Sequence, residues 1–520
     1  MTVNDVNTED LRAAVELGCR TMQSVFNADD GGIPFFKSIV LPRAYLAFHE
    51  IHGESHVPGR HLNGLLTAAD VLGVKVDESA VTKHERAAFF SYGGPFPLPL
   101  NRDKVGGPLA NFTEHNIREG FHALYALVNY RKSAKARELA ERSIDAISRL
   151  WDPERGFDRR AVEKAGIRWA REHTFIVGIG RAIGPLVKYY RATAYEPALD
   201  LALKLSEKAT LEFFTPDGGY ERDTFGPHTH STTCVMSSLA QMADLTHDAP
   251  LLQRVKTFYD NGLWAIRDGL GWVIESTADG RNSDRGECNN TGDIVETALI
   301  LGKWGYTGYF HDAERILRGH LLPAQLRDVT FIEDPLNPKG EDGLRDVAAR
   351  HAGAFGFPAP YGHRPVGLEE VSFNMDIVGG AVGSLCEAYR DAVASGPDGH
   401  RVNLLFAHET PAVQMERLPA QAGIAVTVKQ PGPLWVRIPP WADRRQLSVP
   451  GLEGRWRMTG DYLFVAVPPL NQKVQVRFPE APSELVLRHR TRDIRVRMSG
   501  DRVVAMDNFG ADLTFFDPLR

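Results

Sequence analysis

The chain alternates two kinds of amphipathic stretch at a nearly fixed spacing. GRHLNGLLTAADVLG begins at Gly59, HNIREGFHALYALVNY at His115, TFIVGIGRAIGPLVKYY at Thr174, STTCVMSSLAQMADLT at Ser231 and NTGDIVETALILGKWGY at Asn290. These starts lie 56 to 59 residues apart, and a sixth, DIVGGAVGSLCEAYRDAV, begins at Asp376, 86 residues after the fifth. The surplus is a Pro- and Gly-rich insertion containing DPLNPKGEDG and FGFPAPYGHRPVG, expected to form a loop, a lid or a rim wall. Between the starts run more charged segments: SAKARELAERSIDAISRLW, YEPALDLALKLSEKATLEFF, DAPLLQRVKTFYDNGLWAI and HDAERILRGHLL. Each pair reads as two helices, the first small and apolar, the second charged on one face. Open helical solenoids repeat every 34 to 47 residues or so, which is shorter. The period therefore predicts a closed (α/α)6 toroid, a ring of six helical hairpins with the apolar helices inside, over residues 1–395.

Near SGPDGH, residues 395–400, the pattern changes to a two-residue alternation. AGIAVTVKQ, PLWVRIPPW, YLFVAVPP, KVQVRFPE and ELVLRHR read as strands separated by Pro and Gly. They predict an antiparallel β-sandwich over residues 396–520, continued by the last segment, TRDIRVRMSGDRVVAMDNFGADLTFFDPLR.

If the six apolar helices line a ring, the residues ahead of them share one rim. That rim collects His56, Arg60 and His61; Asn111, Glu114, His115, Asn116 and Arg118; Arg171, Glu172 and His173; Glu221, Arg222, Asp223, His228 and His230; Arg285, Glu287, Asn289 and Asn290; and Glu369, Glu370, Ser372, Asn374 and Asp376. Capping needs about one polar residue per helix, not three to five. Such a bowl suits a polyhydroxylated ligand. Trp169, Phe225, Trp272, Phe373, Tyr361 and Tyr92 are available as stacking platforms, although aromatic side chains are more often core.

The carboxyls suggest chemistry. Glycoside hydrolysis uses two of them across the scissile bond. Glu275 stands in an apolar context, GWVIE, that suits a proton donor. Glu287 is the expected base or nucleophile, and Asp376, otherwise an N-cap, is held in reserve. His115, Asn116, Arg118, His173, His228, His230, Asn289, Asn290, Glu370 and Asn374 are the expected substrate ligands. His228 and His230, two apart in GPHTHSTTC, could instead face one metal with Glu287, but no cofactor is required by this reading.

Two stretches carry a family resemblance. LLFAHETPAVQ, PGPLWVRIPPWAD and GDYLFVAVPPLNQKVQVRFP resemble, in order, the accessory β domain of glycoside hydrolase family 127, the β-L-arabinofuranosidases, and TG at 307–308 followed by YFHDAERIL resembles that family's helix pair. The resemblance implies the same toroid-plus-sandwich fold and a zinc held by a Glu-x-Cys element and a later Cys-Cys pair, one cysteine being the nucleophile. Glu287 matches the acid and Glu275 falls near the family's proton donor. The chain departs from the pattern at Asn289, where cysteine is expected, and at SFNMD, where the Cys-Cys pair is expected. The zinc thiolate cluster is thus absent from the expected site.

Net charge is −6 without a long run of one sign, which argues against nucleic acid or an anionic membrane as partner. No apolar run approaches a membrane span, and MTVNDVNTEDLRAAVELG lacks the pattern of a signal peptide. Four scattered cysteines, Cys19, Cys234, Cys288 and Cys386, fit reduced thiols. The expectation is a cytoplasmic glycosidase of carbohydrate metabolism, a homo-oligomer being possible, acting on short oligosaccharides. The alternatives are a lyase that eliminates across a uronate and a non-catalytic sugar-binding protein.

Overall fold

The computed structural model describes residues 2–278, 284–418, 423–488 and 492–519. Its helical part is built from α1 (Leu11–Met22), α2 (His56–Leu72), α3 (Glu78–Ser91), α4 (Ile117–Arg131), α5 (Ala134–Leu150), α6 (Ile183–Thr193), α7 (Glu196–Glu212), α8 (Thr229–Thr246), α9 (Ala249–Asp260), α10 (Cys288–Lys303), α11 (Gly308–Ile316) and α12 (Ile377–Ala392). The even-numbered helices touch in sequence, α2–α4–α6–α8–α10–α12, and α12 closes the ring on α2. Each odd-numbered helix packs outside one of them, α3 on α2, α5 on α4, α7 on α6, α9 on α8, α11 on α10 and α1 on α12. This is the (α/α)6 toroid that the spacing predicts. The sequence pattern did not single out α1, which comes first in the chain but completes the sixth pair.

Side-chain size explains which helices lie inside. A Cβ on Gly59 would stand 1.9 Å from the Glu119 carbonyl oxygen of α4, and one on Gly379 2.6 Å from the Arg60 carbonyl carbon of α2. The inner backbones touch there, and a larger residue would force them apart. The outer helices are ordinary amphipathic ones, and four of the six, α1, α3, α5 and α9, have side-chain caps. Ser133 accepts from the Ala136 N–H ahead of α5, and Asp248 from the Leu251 N–H ahead of α9, each worth about 1 kcal/mol.

The third inner helix starts later than Thr174. Residues 174–178 turn around Glu114, whose Oε2 would lie 2.9 Å from a Cβ on Gly178, and a short 3-10 turn, Ile179–Ala182, leads into α6. Gly178 has φ −95° and ψ −120°, which no helix contains.

Strand β1 (Lys37–Leu41) pairs antiparallel with β2 (Tyr45–Ala47) and, on its other edge, with β3 (Val371–Asn374) from the insertion. This small sheet stands over one mouth of the ring, so the insertion supplies a wall rather than a plain loop.

After α12 the chain passes directly into β4 (Val393–Gly396) and β5 (Gly399–Val402), so the segment 395–400 lies within a hairpin. There follow β6 (His408–Glu409), β7 (Val413–Arg417), β8 (Gly423–Val428), β9 (Leu434–Arg437), β10 (Trp456–Thr459), β11 (Tyr462–Val465) and β12 (Lys473–Arg477). The sheets β10-β11-β9-β5-β4 and β6-β7-β8-β12 enclose one core containing Val402, Val426, Val436, Leu463 and Val476. Two sheets sharing one core make a sandwich, antiparallel except for the parallel pair β5–β9.

The last segment does not continue that sandwich. β13 (Pro482–Arg488), β14 (Asp493–Ser499), β15 (Arg502–Met506) and β16 (Asp517–Pro518) form a separate sheet. Its apolar face, with Leu487, Ile494, Val496 and Met506, joins the core of the toroid. Positions 489 and 490, at the end of ELVLRHR, lie outside the described residues. Among the described residues no helix is long and apolar enough to cross a membrane.

Charges are concentrated on the ring axis. Glu119 of α4 is fully buried, and its Oε1 accepts from Arg60 Nη2 at 2.9 Å, Arg181 Nη2 at 2.7 Å and Arg118 Nη1 at 3.1 Å. Burial alone would raise its pKa, but Arg181, His56, Arg60 and Arg118 outweigh burial and hold it well below the carboxylate range. Removing one partner of a buried ion cluster strands the others at a cost of about 3–5 kcal/mol. Glu119→Gln is therefore expected to lower the thermal unfolding midpoint sharply, while Glu138→Gln on exposed α5 leaves it in place. Equal midpoints for Glu119→Gln and wild type in a melting experiment would contradict the account.

Candidate active site

The mouth beneath the β1–β3 wall opens into a cleft of about 750 Å³. Seven histidines form a connected chain through it. Ring centroids are 4.9 Å apart for His49–His52, 4.4 Å for His52–His56, 5.4 Å for His56–His115, 5.3 Å for His115–His173, 5.2 Å for His115–His228 and 5.7 Å for His228–His230. His56 and His115 are stacked, with an interplanar angle of 18°. Desolvation lowers the pKa of His52, helped by His56 and His49, and that of His115, helped by Arg181. His173 is pushed to about 3 by burial and by Arg171. The lowered pKa values leave His52, His115 and His173 neutral near pH 7, each able to donate at one nitrogen and accept at the other.

Glu287 is the buried carboxylate of the cleft. It occupies the N-cap position of α10 without making a side-chain cap bond. Its Oε1 accepts from Asn289 Nδ2 at 2.8 Å, and His228 Nε2 and His230 Nδ1 stand 3.6 and 3.5 Å from its two oxygens. Burial would raise its pKa, but His228, Arg60 and Asn289 prevail and keep it below the usual value. Glu275 lines the same cleft and is half-buried. The Glu275 N–H donates to the Arg285 carbonyl at 2.9 Å and the Glu287 N–H to the Val273 carbonyl at 3.3 Å, so the two acids stand on paired segments. The Glu275 side chain meets Arg285 Nη1 at 3.4 Å, and Arg285 lies over Phe357. Its neighbours are a guanidinium and solvent, not the apolar pocket that GWVIE suggests.

Asp376 is a second buried carboxylate lining the cleft, and other expected ligands hold the site together from behind. Asp376 makes no cap bond to α12, and its Oδ2 meets Arg60 Nε at 3.2 Å and His56 Nδ1 at 3.4 Å. Asn116 spends its amide inside the protein: Oδ1 faces His56 Nε2 at 2.7 Å and His52 Nδ1 at 2.9 Å, while Nδ2 donates to the Ile51 carbonyl. Arg118, 13% exposed, lies one turn into the ring beside Glu119 and lines a narrow axial cavity of about 40 Å³ behind the cleft. Asn290 joins α10 to α8, accepting from Thr233 Oγ1 at 2.8 Å. The side chains of Asn116, Arg118 and Asn290 thus point into the ring rather than across its rim, and none of the three lines the cleft. Asn289 braces Glu287. His115, whose Nδ1 faces the Val177 carbonyl at 2.7 Å, lines the cleft with His228, His230, Glu370 and Asn374, and His173 stands behind it.

The expected aromatic platforms Trp169, Phe225, Trp272, Phe373, Tyr361 and Tyr92 are all core residues. Phe36, Tyr45, Phe48 and Phe357 line the cleft instead. His49 and His52 were also missed, although His49, His52 and His56 recur at three and four residues, a one-face helical spacing.

A thiolate zinc centre does not fit these residues. Asn289 stands where the cysteine of Glu-x-Cys would be and is already bonded to Glu287. Ser372 to Met375 supply no thiol, and Cys19, Cys234, Cys288 and Cys386 are all buried away from the cleft.

No family model matches the chain, and no curated protein matches it. Solved structures do. A GH127 β-arabinofuranosidase superposes with a TM-score of 0.58 at 14% identity, over 94% of this chain and 79% of its own. A GH127 β-L-arabinofuranosidase from Geobacillus stearothermophilus T6 gives 0.55 at 15% identity, over 95% and 80%. Cellobiose 2-epimerase from Bacillus thermoamylovorans B4167 gives 0.51 at 11% identity, over 72% of this chain and 98% of its own. The fold is GH127-like, a six-hairpin toroid with a β-sandwich.

Glu114, next to His115 on the rim, provides a pH test. Burial raises its pKa to about 7 against a backbone bond from Ile179 that lowers it. A carboxyl raised on folding stabilises below its unfolded pKa of about 4.3, and that contribution is lost as pH rises through the folded value. Wild-type stability is expected to fall between about pH 4 and 7 relative to Glu114→Gln in urea titrations. Parallel pH profiles would contradict it.

Proposed function

We propose that the protein is a carbohydrate-active enzyme, a glycoside hydrolase of short oligosaccharides. The observation that carries this reading is the pair Glu275 and Glu287 on adjoining segments of one histidine-lined cleft, with Glu287 held anionic. Neutral imidazoles and the rim groups Glu370 and Asn374 suit sugar hydroxyls, and Phe48 and Tyr45 offer faces for a ring to rest on. In this reading Glu275, the acid nearer solvent, gives its proton to the leaving oxygen. Glu287 supplies the negative charge that activates water or stabilises the oxocarbenium-like transition state. The likeness to solved GH127 enzymes agrees with this reading at the level of fold.

A second reading is β-elimination on a uronate. It is favoured by neutral His115 beside His228, with Arg171 and Arg285 in the same cleft to neutralise a carboxylate.

Incubation with neutral and uronate-containing oligosaccharides, followed by reducing-end and ultraviolet assays together, separates the two. The hydrolase predicts new reducing ends without absorbance, and a roughly 10²–10⁴-fold lower kcat for Glu275→Gln. New absorbance, or full activity in Glu275→Gln, would overturn it.

A further inference from the structure

His228, His230 and Glu287 converge on one point without hydrogen-bonding one another. Their ligand atoms all lie within 4.8 Å. The nitrogen–oxygen separations of 3.6 and 3.5 Å are too long for hydrogen bonds. They run to different oxygens of Glu287, Oε2 for His228 and Oε1 for His230, and each is close to the roughly 3.4 Å between neighbouring ligands of a tetrahedral cation with bonds of about 2.1 Å. The far side of each imidazole is also placed as a ligand requires. His228 Nδ1 meets Ser231 Oγ at 2.8 Å, and His230 Nε2 faces Asp293 Oδ2 at 3.5 Å. Oxygen partners on the second nitrogen fix ring orientation and tautomer at metal sites. His230 is 1% exposed, and neither ring nitrogen has a hydrogen-bond partner. A buried imidazole left so is costly unless something else occupies its lone pair.

We propose that His228, His230 and Glu287 form a site for a divalent transition metal of the zinc class, with its fourth position open to the cleft. Two imidazoles and one carboxylate make the ligand set of an open, not a structural, zinc site. No thiolate takes part. His230 gives Nδ1 and His228 gives Nε2; Ser231 holds the His228 ring, and the Asp293 carboxylate faces His230 Nε2 at ion-pair rather than hydrogen-bond range. Asn289 steadies the Glu287 oxygen that it already touches. The inference shares Glu287 with the hydrolase reading, where it becomes a metal ligand, and makes no use of Glu275.

The test is a Co²⁺ titration of chelator-stripped, full-length protein, followed by visible d–d absorbance and then by Zn²⁺ competition. The expected result is a tetrahedral-type band that saturates at one equivalent and is lost on adding Zn²⁺. His230→Ala is expected to abolish it, Asp293→Asn to weaken binding by about 10–100-fold, and Glu275→Gln to leave it unchanged. His228→Asn, at a less buried position, is expected to weaken binding at least tenfold and serves if His230→Ala does not fold. Absence of a saturable band in wild type, or a band undiminished in His228→Asn or His230→Ala, would overturn the site. A band with no turnover on any oligosaccharide would sink the hydrolase and leave the metal standing.

Discussion

The organising interaction is the ion cluster around Glu119. One carboxylate on α4 receives three guanidiniums, and Arg60 among them also reaches Asp376 at the entrance of α12. Asp376 in turn faces His56, which faces Asn116. A ring of six helices with small apolar contacts would have little to fix its rotation about the axis. Charges that cannot be left unpaired fix it, because each buried partner stranded costs several kcal/mol. The same chain of contacts ends on the stacked pair of His56 and His115, so the axial cluster and the cleft are one network. Glu119 and Asn116, outside the cleft lining, brace Arg60 and His56, which line it together with Asp376.

This network also explains why acids and amides crowd the helix entrances. Glu287 and Asp376 both stand at N-cap positions, and neither caps its helix. Their oxygens are turned toward histidines, arginines and Asn289. The helix ends gain their charge complement, but the side chains are committed to the cleft. A polar residue at a helix entrance that does not cap has some other task, and here the task is the site.

Much of the architecture was legible in the sequence because a toroid repeats. The spacing of 56 to 59 residues reported the inner helices, and the two-residue alternation reported the sandwich. What the period could not show was how the chain closes. α1 precedes the first repeat and has no counterpart at the end, and only packing on α12 gives it a place. The start at Thr174 failed because Glu114, distant in sequence, holds Gly178 out of helical geometry. β13 to β15 have the alternation of sandwich strands, and nothing local says that their apolar face meets the toroid. At the site, residue type was a good guide and direction a poor one. Glu275, Glu287, His115, His228 and His230 do line the cleft, whereas Asn116, Arg118 and Asn290, one or three positions away, point into the ring. Helical geometry turns each successive residue by about 100°, so a rim list read by proximity mixes ligands with the groups that brace them. His49 and His52 precede α2 and fell outside that list, although their spacing with His56 placed them on its face.

The central claim is that the mouth beneath β1–β3 binds sugar. It is tested most directly by a crystal structure of the protein with a short oligosaccharide. The account predicts a sugar ring between the Tyr45–Phe48 wall and Glu275, with hydroxyls within hydrogen-bond distance of His115 or His228. A sugar bound on the β-sandwich, with this cleft holding only solvent, would contradict it.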